Sequence, residues 1–241
     1  EVLDEAAMMD DVVSAQFQLK NGAAFDRAGS QVSFDFSEKF TSGYATAFEV
    51  QRDRFDKILA DRAVRSGVEI HYRCEIVGID LATEQPILSY NKPDGSPAQL
   101  SAKFCLDASG FGQTLAKLQN LVRPANWPIR ESIFTHVVDH IDLDAFDRTK
   151  ILITVHPSQH DIWFWLIPFS DGSSSLGVVA PEGALGRFGG DEQIILQGVV
   201  SETELLASLL ANADYHKPCA RLTAYASEVE KLYGEKYALL G

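Results

Sequence analysis

Two of the three tryptophans in the chain stand two residues apart, at Trp163 and Trp165, in a run that continues through Ile167 to Pro168. In a β-strand, alternate residues point to the same face, so both indoles would project from one side of a sheet. Side chains this large and flat either fill a protein core or form one wall of a ligand chamber. The run therefore predicts a strand, and both roles stay open for its tryptophan face.

Neighbouring segments predict that this strand belongs to an antiparallel sheet. Apolar runs bounded by turn residues recur on both sides of it, and the sequence Ser170-Asp171-Gly172-Ser173 is typical of a hairpin turn. After the sheet we expect a helical segment over 182–217 and an apolar return strand that runs from Tyr237 to Gly241. The strands expected in the sheet cover 129–140, 150–156, 162–169 and 175–180.

A helix is predicted over 52–66, because apolar residues recur there at helical spacing and Gly67 follows where a C-terminal cap is expected. The apolar stripe consists of Phe55, Ile58, Leu59 and Ala63. Arg52 stands at the start, where positive charge is unfavourable for a helix. It should therefore have an anionic partner, which is either a nearby acid such as Asp53 or Asp56 or a phosphate of a bound ligand.

A lysine lies in the pattern Phe17-x-x-Lys20-x-Gly22-x-x-Phe25. If 17–25 is a single strand, Lys20 and Gly22 share one face, while Phe17, Leu19 and Phe25 anchor the other. The lysine would then have room beside it. A lysine partly withdrawn from water becomes a usable hydrogen-bond donor, acid or nucleophile near neutral pH. The alternative is an ordinary surface lysine on an edge strand.

The segment Asp107-Ala108-Ser109-Gly110 predicts a tight turn between a strand and a short helix. Backbone can approach a ligand closely at the glycine, and Asp107 marks the end of the strand. Gly110-x-Gly112 is a weak signal by itself, because a glycine turn between strand and helix is more often simply a turn. The chain contains no Gly-x-Gly-x-x-Gly phosphate-binding pattern.

Composition argues against several classes of function. The 241 residues are 46% apolar, yet no stretch approaches the roughly 20 apolar residues of a membrane helix. A formal net charge of −13 disfavours binding to nucleic acid or to anionic membranes, and three scattered cysteines predict free thiols in the cytoplasm. The pairs His136/His140 and His156/His160 fall in a predicted strand and loop, which do not align them as metal ligands, so we expect no metal site.

Together, the patterns Trp-x-Trp-x-Ile-Pro, Phe-x-x-Lys-x-Gly, the arginine at the helix start and Asp-Ala-Ser-Gly resemble the flavin-dependent halogenases. That family is a branch of the FAD monooxygenases with the para-hydroxybenzoate hydroxylase fold. The resemblance implies an α/β (α+β) architecture. A partial FAD-binding α/β region would cover residues 1–125, and an antiparallel substrate-binding sheet with helices would cover 126–241.

The resemblance also implies roles for individual residues. Lys20 would engage hypohalous acid and deliver the electrophile. The cofactor FAD would be bound with the help of Arg52, Asp107 and Gly110. The partition between substrate and flavin would be formed by Trp163, Trp165, Ile167 and Pro168.

The reaction implied is oxidation of halide by a flavin hydroperoxide, followed by halogenation of an electron-rich aromatic substrate. A separate flavin reductase would reduce the FAD, halide and O2 would be co-substrates, and the aromatic substrate would be free or carrier-protein-bound. Two alternatives stay open, a flavin monooxygenase or geranylgeranyl reductase-type oxidoreductase, and a non-catalytic fragment that binds a hydrophobic partner. Because the phosphate-binding fingerprint is missing, we expect the chain to be the middle portion of a longer protein.

Overall fold

The computed structural model of the protein describes residues 1–142 and 144–240, and chain packing divides it into two compact units. Unit 1 joins Glu1–Val68 to Pro128–Ala224, and unit 2 joins Glu69–Trp127 to the segment that starts at Tyr225. The predicted division after residue 125 lies near one of these boundaries, but residues 1–68 pack with the second half of the chain. Gly241, the end of the expected return strand, lies outside the described residues.

The helices are α1 (Val2–Glu5), α2 (Met9–Ser14), α3 (Arg52–Arg65), α4 (Thr114–Leu118), α5 (Glu192–Ser201) and α6 (Glu204–Leu209). The first strands are β1 (Gln18–Lys20), β2 (Gly22–Arg27), β3 (Ser30–Asp35), β4 (Ala47–Glu49), β5 (Glu75–Asp80), β6 (Ile87–Asn91), β7 (Pro97–Ser101) and β8 (Cys105–Asp107). The remaining strands are β9 (Val122–Pro124), β10 (Arg130–Val138), β11 (Lys150–Val155), β12 (Trp163–Pro168), β13 (Ser173–Pro181), β14 (Ala220–Thr223), β15 (Ser227–Val229) and β16 (Tyr237–Leu239). Within the described ranges, none of the helices is long and apolar enough to cross a membrane.

The largest sheet lies in unit 1 and has the strand order β14-β10-β13-β12-β11-β2-β3. Neighbouring strands run antiparallel except for β2 and β11, which are parallel. The central strand is β12, with Trp165 opposite Ile153 of β11 and Gly177 of β13. The prediction of a mixed α/β chain with an antiparallel layer around the tryptophan run is therefore confirmed.

Helices α5 and α6 pack on one face of this sheet and give it a core. Burial alternates along β12, because Phe164 and Leu166 are fully buried whereas Trp163 is 37% exposed. The strand therefore has one core face and one open aromatic face. Further members of this core are Ile133, Val137, Leu152, Leu176, Val178, Ile195, Leu196, Val199 and Leu206.

A second cluster of unit 1 holds α2, β4 and α3 together. Its centre is Phe17, which is buried and meets the ring of Phe55 on α3 edge to face at 6.1 Å. The predicted helix is confirmed, since α3 begins at Arg52 and Gly67 follows its end with φ at +92°. Glycine adopts this left-handed conformation without strain, so it ends the helix where the sequence predicts.

The expected single strand over 17–25 is wrong, because the chain changes sheets in the middle of it. Strand β1 pairs with β4, whereas β2 joins the seven-stranded sheet. Between them, the Asn21 N–H donates to the Thr149 carbonyl at 2.8 Å, and the Asn21 carbonyl accepts from the Phe36 N–H at 2.6 Å. Gly22 has no spare room, since a Cβ there would lie 2.2 Å from the Phe34 carbonyl oxygen.

The anchoring expected beneath the lysine is correspondingly incomplete. Phe17 is buried as predicted, but Leu19 is 44% exposed and Phe25 is 38% exposed. The break at Asn21 explains this difference, because alternation of faces does not carry from β1 into a strand of another sheet.

Unit 2 contains the antiparallel sheet β5-β6-β7, the parallel pair β8 and β16, and the antiparallel pair β9 and β15. Cys105, Leu115 and Tyr237 form its core. Strand β8 ends at Asp107, so the pairing of β8 with β16 fixes the position of the turn that follows.

We expect Gly177→Ala to destabilise unit 1 by roughly 1–3 kcal/mol, the typical cost of forcing extra volume into a packed site. A Cβ at Gly177 would lie 2.2 Å from Cζ2 of Trp165. Urea denaturation measures the change in unfolding free energy. Gly186→Ala is the matched control, because nothing lies within 4 Å of its Cβ position. Equal stability of the two variants would contradict the prediction.

Candidate functional site

The open face of β12 presents an aromatic surface. The rings of Trp163 and Trp165 lie 6.1 Å apart at 51°, and Trp165 lies 6.1 Å from Phe134 of β10. Nε1 of Trp165 donates to Oγ of Ser175 at 3.1 Å, which fixes the orientation of the indole. Ile167 follows on the same face. This arrangement can act as the wall of a chamber.

Pro168 does not share that wall. It is buried, and the alternation of the strand places it with Phe164 and Leu166 on the face that carries the core. Of the four residues predicted to separate substrate from flavin, Trp163, Trp165 and Ile167 therefore lie on one face and Pro168 on the other.

A cavity of about 570 Å³ in unit 1 connects the end of this strand with the start of α3. Its lining includes Ile167, Ser175, Arg52, Arg54, His136 and Lys217. The structure thus brings the predicted cofactor ligand Arg52 into one cavity with Ile167, whereas Trp163 and Trp165 do not line it. The lining carries three cations, Arg52, Arg54 and Lys217, and two carboxylates, Asp53 and Asp171. The cations exceed the carboxylates by one charge, which favours an anionic group.

The charged groups of this cavity differ in how far they are already paired. Arg52 donates from Nε to Oδ1 of Asp56 at 3.0 Å and from Nη2 to Oδ2 at 3.1 Å, so its predicted acidic partner is Asp56. Its side chain is 77% exposed, which leaves the remaining N–H donors of the guanidinium open to a ligand. Burial and the nearby charge of Lys217 lower the pKa of His136, whose ring meets Phe169 at 5.3 Å. His136 is therefore a neutral imidazole at pH 7.

Lys20 lies at the end of β1, opposite Ala47 of β4. It is half-buried, and its Nζ lies 5.8 Å from the centre of the Phe36 ring. Within residues 1–142 and 144–240 its amine makes no hydrogen bond or ion pair. The lysine is therefore partly withdrawn from water and available to a reactant.

The sequence reasoning missed Glu49, the last residue of β4. It is 4% exposed, and neither of its carboxylate oxygens has a hydrogen-bond partner in the described chain. Burial raises the pKa of Glu49 to about 8, although the charges of Lys20 and Arg148 oppose the rise. The available signal was an acidic residue between Phe48 and Val50 in an otherwise apolar run.

Asp107 and Gly110 lie in unit 2, on the rim of a cavity of about 490 Å³. Asp107 accepts hydrogen bonds from the N–H of Ser109 at 2.9 Å and from that of Leu115 at 2.8 Å. Burial opposes its charge, but these hydrogen bonds lower the pKa of Asp107 overall. Its carboxylate holds the turn and the first turn of α4, while Gly110, at φ +54°, has no atom within 4 Å of its Cβ position.

The second histidine pair, His156 and His160, has other partners than a metal. His156 is hydrogen-bonded through Nε2 to Glu202 at 2.8 Å, and His160 is hydrogen-bonded to Arg27 at 2.8 Å. In the part of the chain that the structure describes, no group of three or more histidine, cysteine or acidic side chains could hold a metal ion.

Comparison with known proteins identifies the relatives of this chain. The family model of the tryptophan halogenases matches residues 4–187. A 1H-pyrrole-2-carbonyl-[peptidyl-carrier protein] chlorinase of Pseudomonas fluorescens is 23% identical over 269 residues, which cover all of this chain and 58% of the relative. The chain thus spans less than two thirds of the length of that curated relative.

Solved structures show the same fold. A flavoprotein/dehydrogenase from Cytophaga hutchinsonii is 29% identical, with a TM-score of 0.92 over 99% of this chain and 58% of that one. The myxobacterial chondrochloren halogenase CndH, described as a variant of FAD-dependent halogenases, is 22% identical, with a TM-score of 0.85 over 100% of this chain and 56% of that one.

We expect Glu49→Gln to be more stable than the wild type at pH 8 but not at pH 4. The native state keeps a proton on Glu49 up to about pH 8, whereas unfolded glutamate loses it near pH 4.5. Wild-type stability therefore falls across that range, by on the order of 3 kcal/mol, and the glutamine variant does not follow it. Urea denaturation at several pH values measures the difference, and Glu38→Gln, on an exposed residue, is the control. A pH-independent difference between Glu49→Gln and wild type would refute this expectation.

Proposed function

The chain belongs to the tryptophan halogenase family, and from this membership we propose that the protein containing it is a flavin-dependent halogenase. The observation that carries the proposal is the family match over residues 4–187, which includes Lys20, Arg52 and the tryptophan run. Because the chain spans 58% of the chlorinase relative, the activity is a proposal for the whole protein.

The residues present fit part of an FAD site. The exposed guanidinium of Arg52 opens to a cavity that also carries Arg54 and Lys217 and, as carboxylates, Asp53 and Asp171. The excess of cationic donors there would suit a phosphate or another anionic group. In unit 2, the left-handed backbone of Gly110 leaves the rim of its cavity free of a side chain. We assign Arg52 and Gly110 to direct contact with the cofactor, and Asp107 to holding the turn that presents Gly110.

When bound and reduced, FAD would provide two electrons, which together with two from halide convert O2 into water and hypohalous acid. In this proposal Lys20 holds the hypohalous acid, because its amine is half-buried, lies beside Phe36 and is free of protein partners in the described ranges. A hydrogen bond from the amine to the hypohalous acid would orient the electrophilic halogen toward the substrate ring. Alternatively, the neutral amine would attack the halogen, break its bond to oxygen, release water and hold the halogen as a haloamine, from which the ring takes the halogen and the amine is restored. The ring then exchanges a proton for the halogen.

The face formed by Trp163, Trp165 and Ile167 would separate the substrate from the cofactor. The indole of Trp165 is packed on Gly177 and Phe134 and fixed by Ser175, and the ring of Trp163 lies 6.1 Å from it, so the face would be a rigid barrier. Separation favours halogenation over direct transfer of oxygen to the substrate. Pro168 would support this face from the core side of β12.

We propose a small, electron-rich aromatic substrate, free or attached to a carrier protein. The Pseudomonas fluorescens relative is named for chlorination of a pyrrole on a peptidyl carrier protein, which favours the attached form. A separate flavin reductase would reduce the FAD.

Three free thiols, Cys74, Cys105 and Cys219, fit a cytoplasmic setting.

A second candidate function keeps the flavin and omits the halide. The structure from Cytophaga hutchinsonii, at 29% identity, is described as a flavoprotein/dehydrogenase. A protein of this kind would transfer hydrogen or oxygen to its substrate. Mass spectrometry distinguishes the two functions, since the product carries halogen in one case and hydrogen or oxygen in the other.

We expect Lys20→Met to lower the yield of halogenated product by about 100-fold or more, the loss typical when a group that positions or protonates the reactant is removed. The measurement uses the full-length protein with FAD, flavin reductase, halide, O2 and an aromatic acceptor. Consumption of O2 should continue, since the lysine acts after oxygen is reduced. Lys103→Met, on an exposed lysine, is the matched control. Equal yields from Lys20→Met and wild type would contradict the role proposed for Lys20.

A further inference from the structure

Glu49 and Lys20 lie on the same face of the two-stranded sheet of β1 and β4. The register pairs Gln18 with Glu49 and Lys20 with Ala47, and residues that are paired or two apart share a face. Glu49 and Lys20 are therefore diagonal neighbours, a separation of about 7–8 Å between backbones that long side chains bridge. Free rotation of the lysine side chain can bring its amine to the carboxyl group.

Other groups near Glu49 are already committed. The amide of Gln18, directly opposite, donates to the Leu19 carbonyl at 3.1 Å. Arg148 donates from Nη1 to both oxygens of Asp139 at 2.9 Å and from Nη2 to the Phe169 carbonyl at 2.9 Å.

The acid that also faces Glu49 is paired as well. Asp147 accepts hydrogen bonds from Lys150 at 2.7 Å and Thr149 at 2.6 Å. Among the charged groups that act on Glu49, Lys20 is thus the cation that has no other partner in the described ranges.

A buried carboxyl group with two unpartnered oxygens has two ways to avoid an isolated charge. It keeps its proton, or it acquires a cation as a partner. The geometry offers both, since the carboxyl group is buried and an amine without a hydrogen bond or ion pair in the described ranges lies on the same face. Which of the two states is populated decides where the amine of Lys20 is held.

We propose that Glu49 is the positioning residue of Lys20: the neutral carboxyl group leaves the amine free for its reactant, and the ionised carboxylate draws the amine onto itself. The proton lost in this change goes to solvent, and no bond of the backbone is altered. The inference rests on the proposed function, because it takes Lys20 as the group that engages the reactant. Glu49 itself touches neither substrate nor cofactor in this role.

The proposal predicts that the rate of product formation falls at alkaline pH. Since the pKa of Glu49 is raised to about 8, the pairing with Lys20 forms as the pH rises through that value. Wild-type product formation should fall by about tenfold per pH unit above it, as loss of one essential proton requires. In Glu49→Gln the group cannot ionise, so the fall between pH 8 and pH 9 should be less than about twofold.

The test is the pH profile of halogenation by the full-length protein, with rates expressed per folded protein as determined by circular dichroism. Glu38→Gln, which removes an exposed carboxylate from the same unit, should show the same alkaline fall in rate as the wild type. If the rate of Glu49→Gln falls above pH 8 as steeply as that of the wild type, the proposal is overturned. If the fall is also lost in Glu38→Gln, the proposal is overturned as well, because the effect would then come from surface charge.

A second measurement needs no catalysis. The carbonyl band of a protonated carboxyl group, seen by infrared difference spectroscopy, should disappear between pH 7 and pH 9 in the wild type and be absent in Glu49→Gln. Lys20→Met removes the charge that favours ionisation, so the loss of this band should move up by about one pH unit. If the band disappears at the same pH in Lys20→Met as in the wild type, the inference is overturned.

The two measurements separate failure of the inference from failure of the proposed function. If the carbonyl band of Lys20→Met disappears at a higher pH but the wild type forms no halogenated product at any pH, the halogenase function is rejected and the coupling of Glu49 to Lys20 is supported. If product forms but the pH at which the band disappears is unchanged, the halogenase function is supported and the coupling is rejected.

Discussion

The packing of α5 and α6 on one face of the seven-stranded sheet is the constraint on which the rest of unit 1 depends. It buries Phe164 and Leu166 of β12 together with facing residues of β13, and each such side chain contributes roughly 1.5–3 kcal/mol. Because side chains alternate along a strand, the same burial obliges Trp163 and Trp165 to project from the other face. The aromatic wall is therefore a consequence of how the core is built, and its rigidity comes from the sheet.

A buried ion pair anchors the hairpin that follows β12. Asp139, at 1% exposure, holds Arg148, which also donates to the carbonyls of Phe169 and Ser173 at the hairpin between β12 and β13. Removing either partner would leave an uncompensated buried charge, so both are fixed in place. As a result Arg148 lies near Glu49 without being free to neutralise it. The electrostatic state of Glu49 is thereby left to its own proton and to Lys20.

Much of this arrangement could be predicted from local patterns. The strand over 162–169, the Asp171-Gly172 turn and the apolar stripe of α3 each depend on residues close in sequence, and the structure confirms them. The break at Asn21 could not be predicted, because it depends on hydrogen bonds to Thr149 and Phe36. The packing of residues 1–68 with 128–224 is likewise a long-range property. Glu49 was missed because burial of a single acid is decided by tertiary packing, whereas the spacing of residues shows only that an acid is present.

The two acidic residues Asp107 and Glu49 differ in whether their carboxyl groups have hydrogen-bond partners. Asp107 has the position expected of a cofactor ligand, yet its carboxylate is satisfied by the N–H groups of Ser109 and Leu115 and so stabilises the fold by itself. Glu49 has the opposite character, since its burial without a partner reduces stability, and a glutamine in its place would remove only the part of that cost that comes with ionisation. A destabilising buried acid beside an unpaired lysine is a feature that packing does not require. Such costs concentrate where a protein acts on a ligand, which supports the proposed role of Lys20 and Glu49 on the pair of β1 and β4.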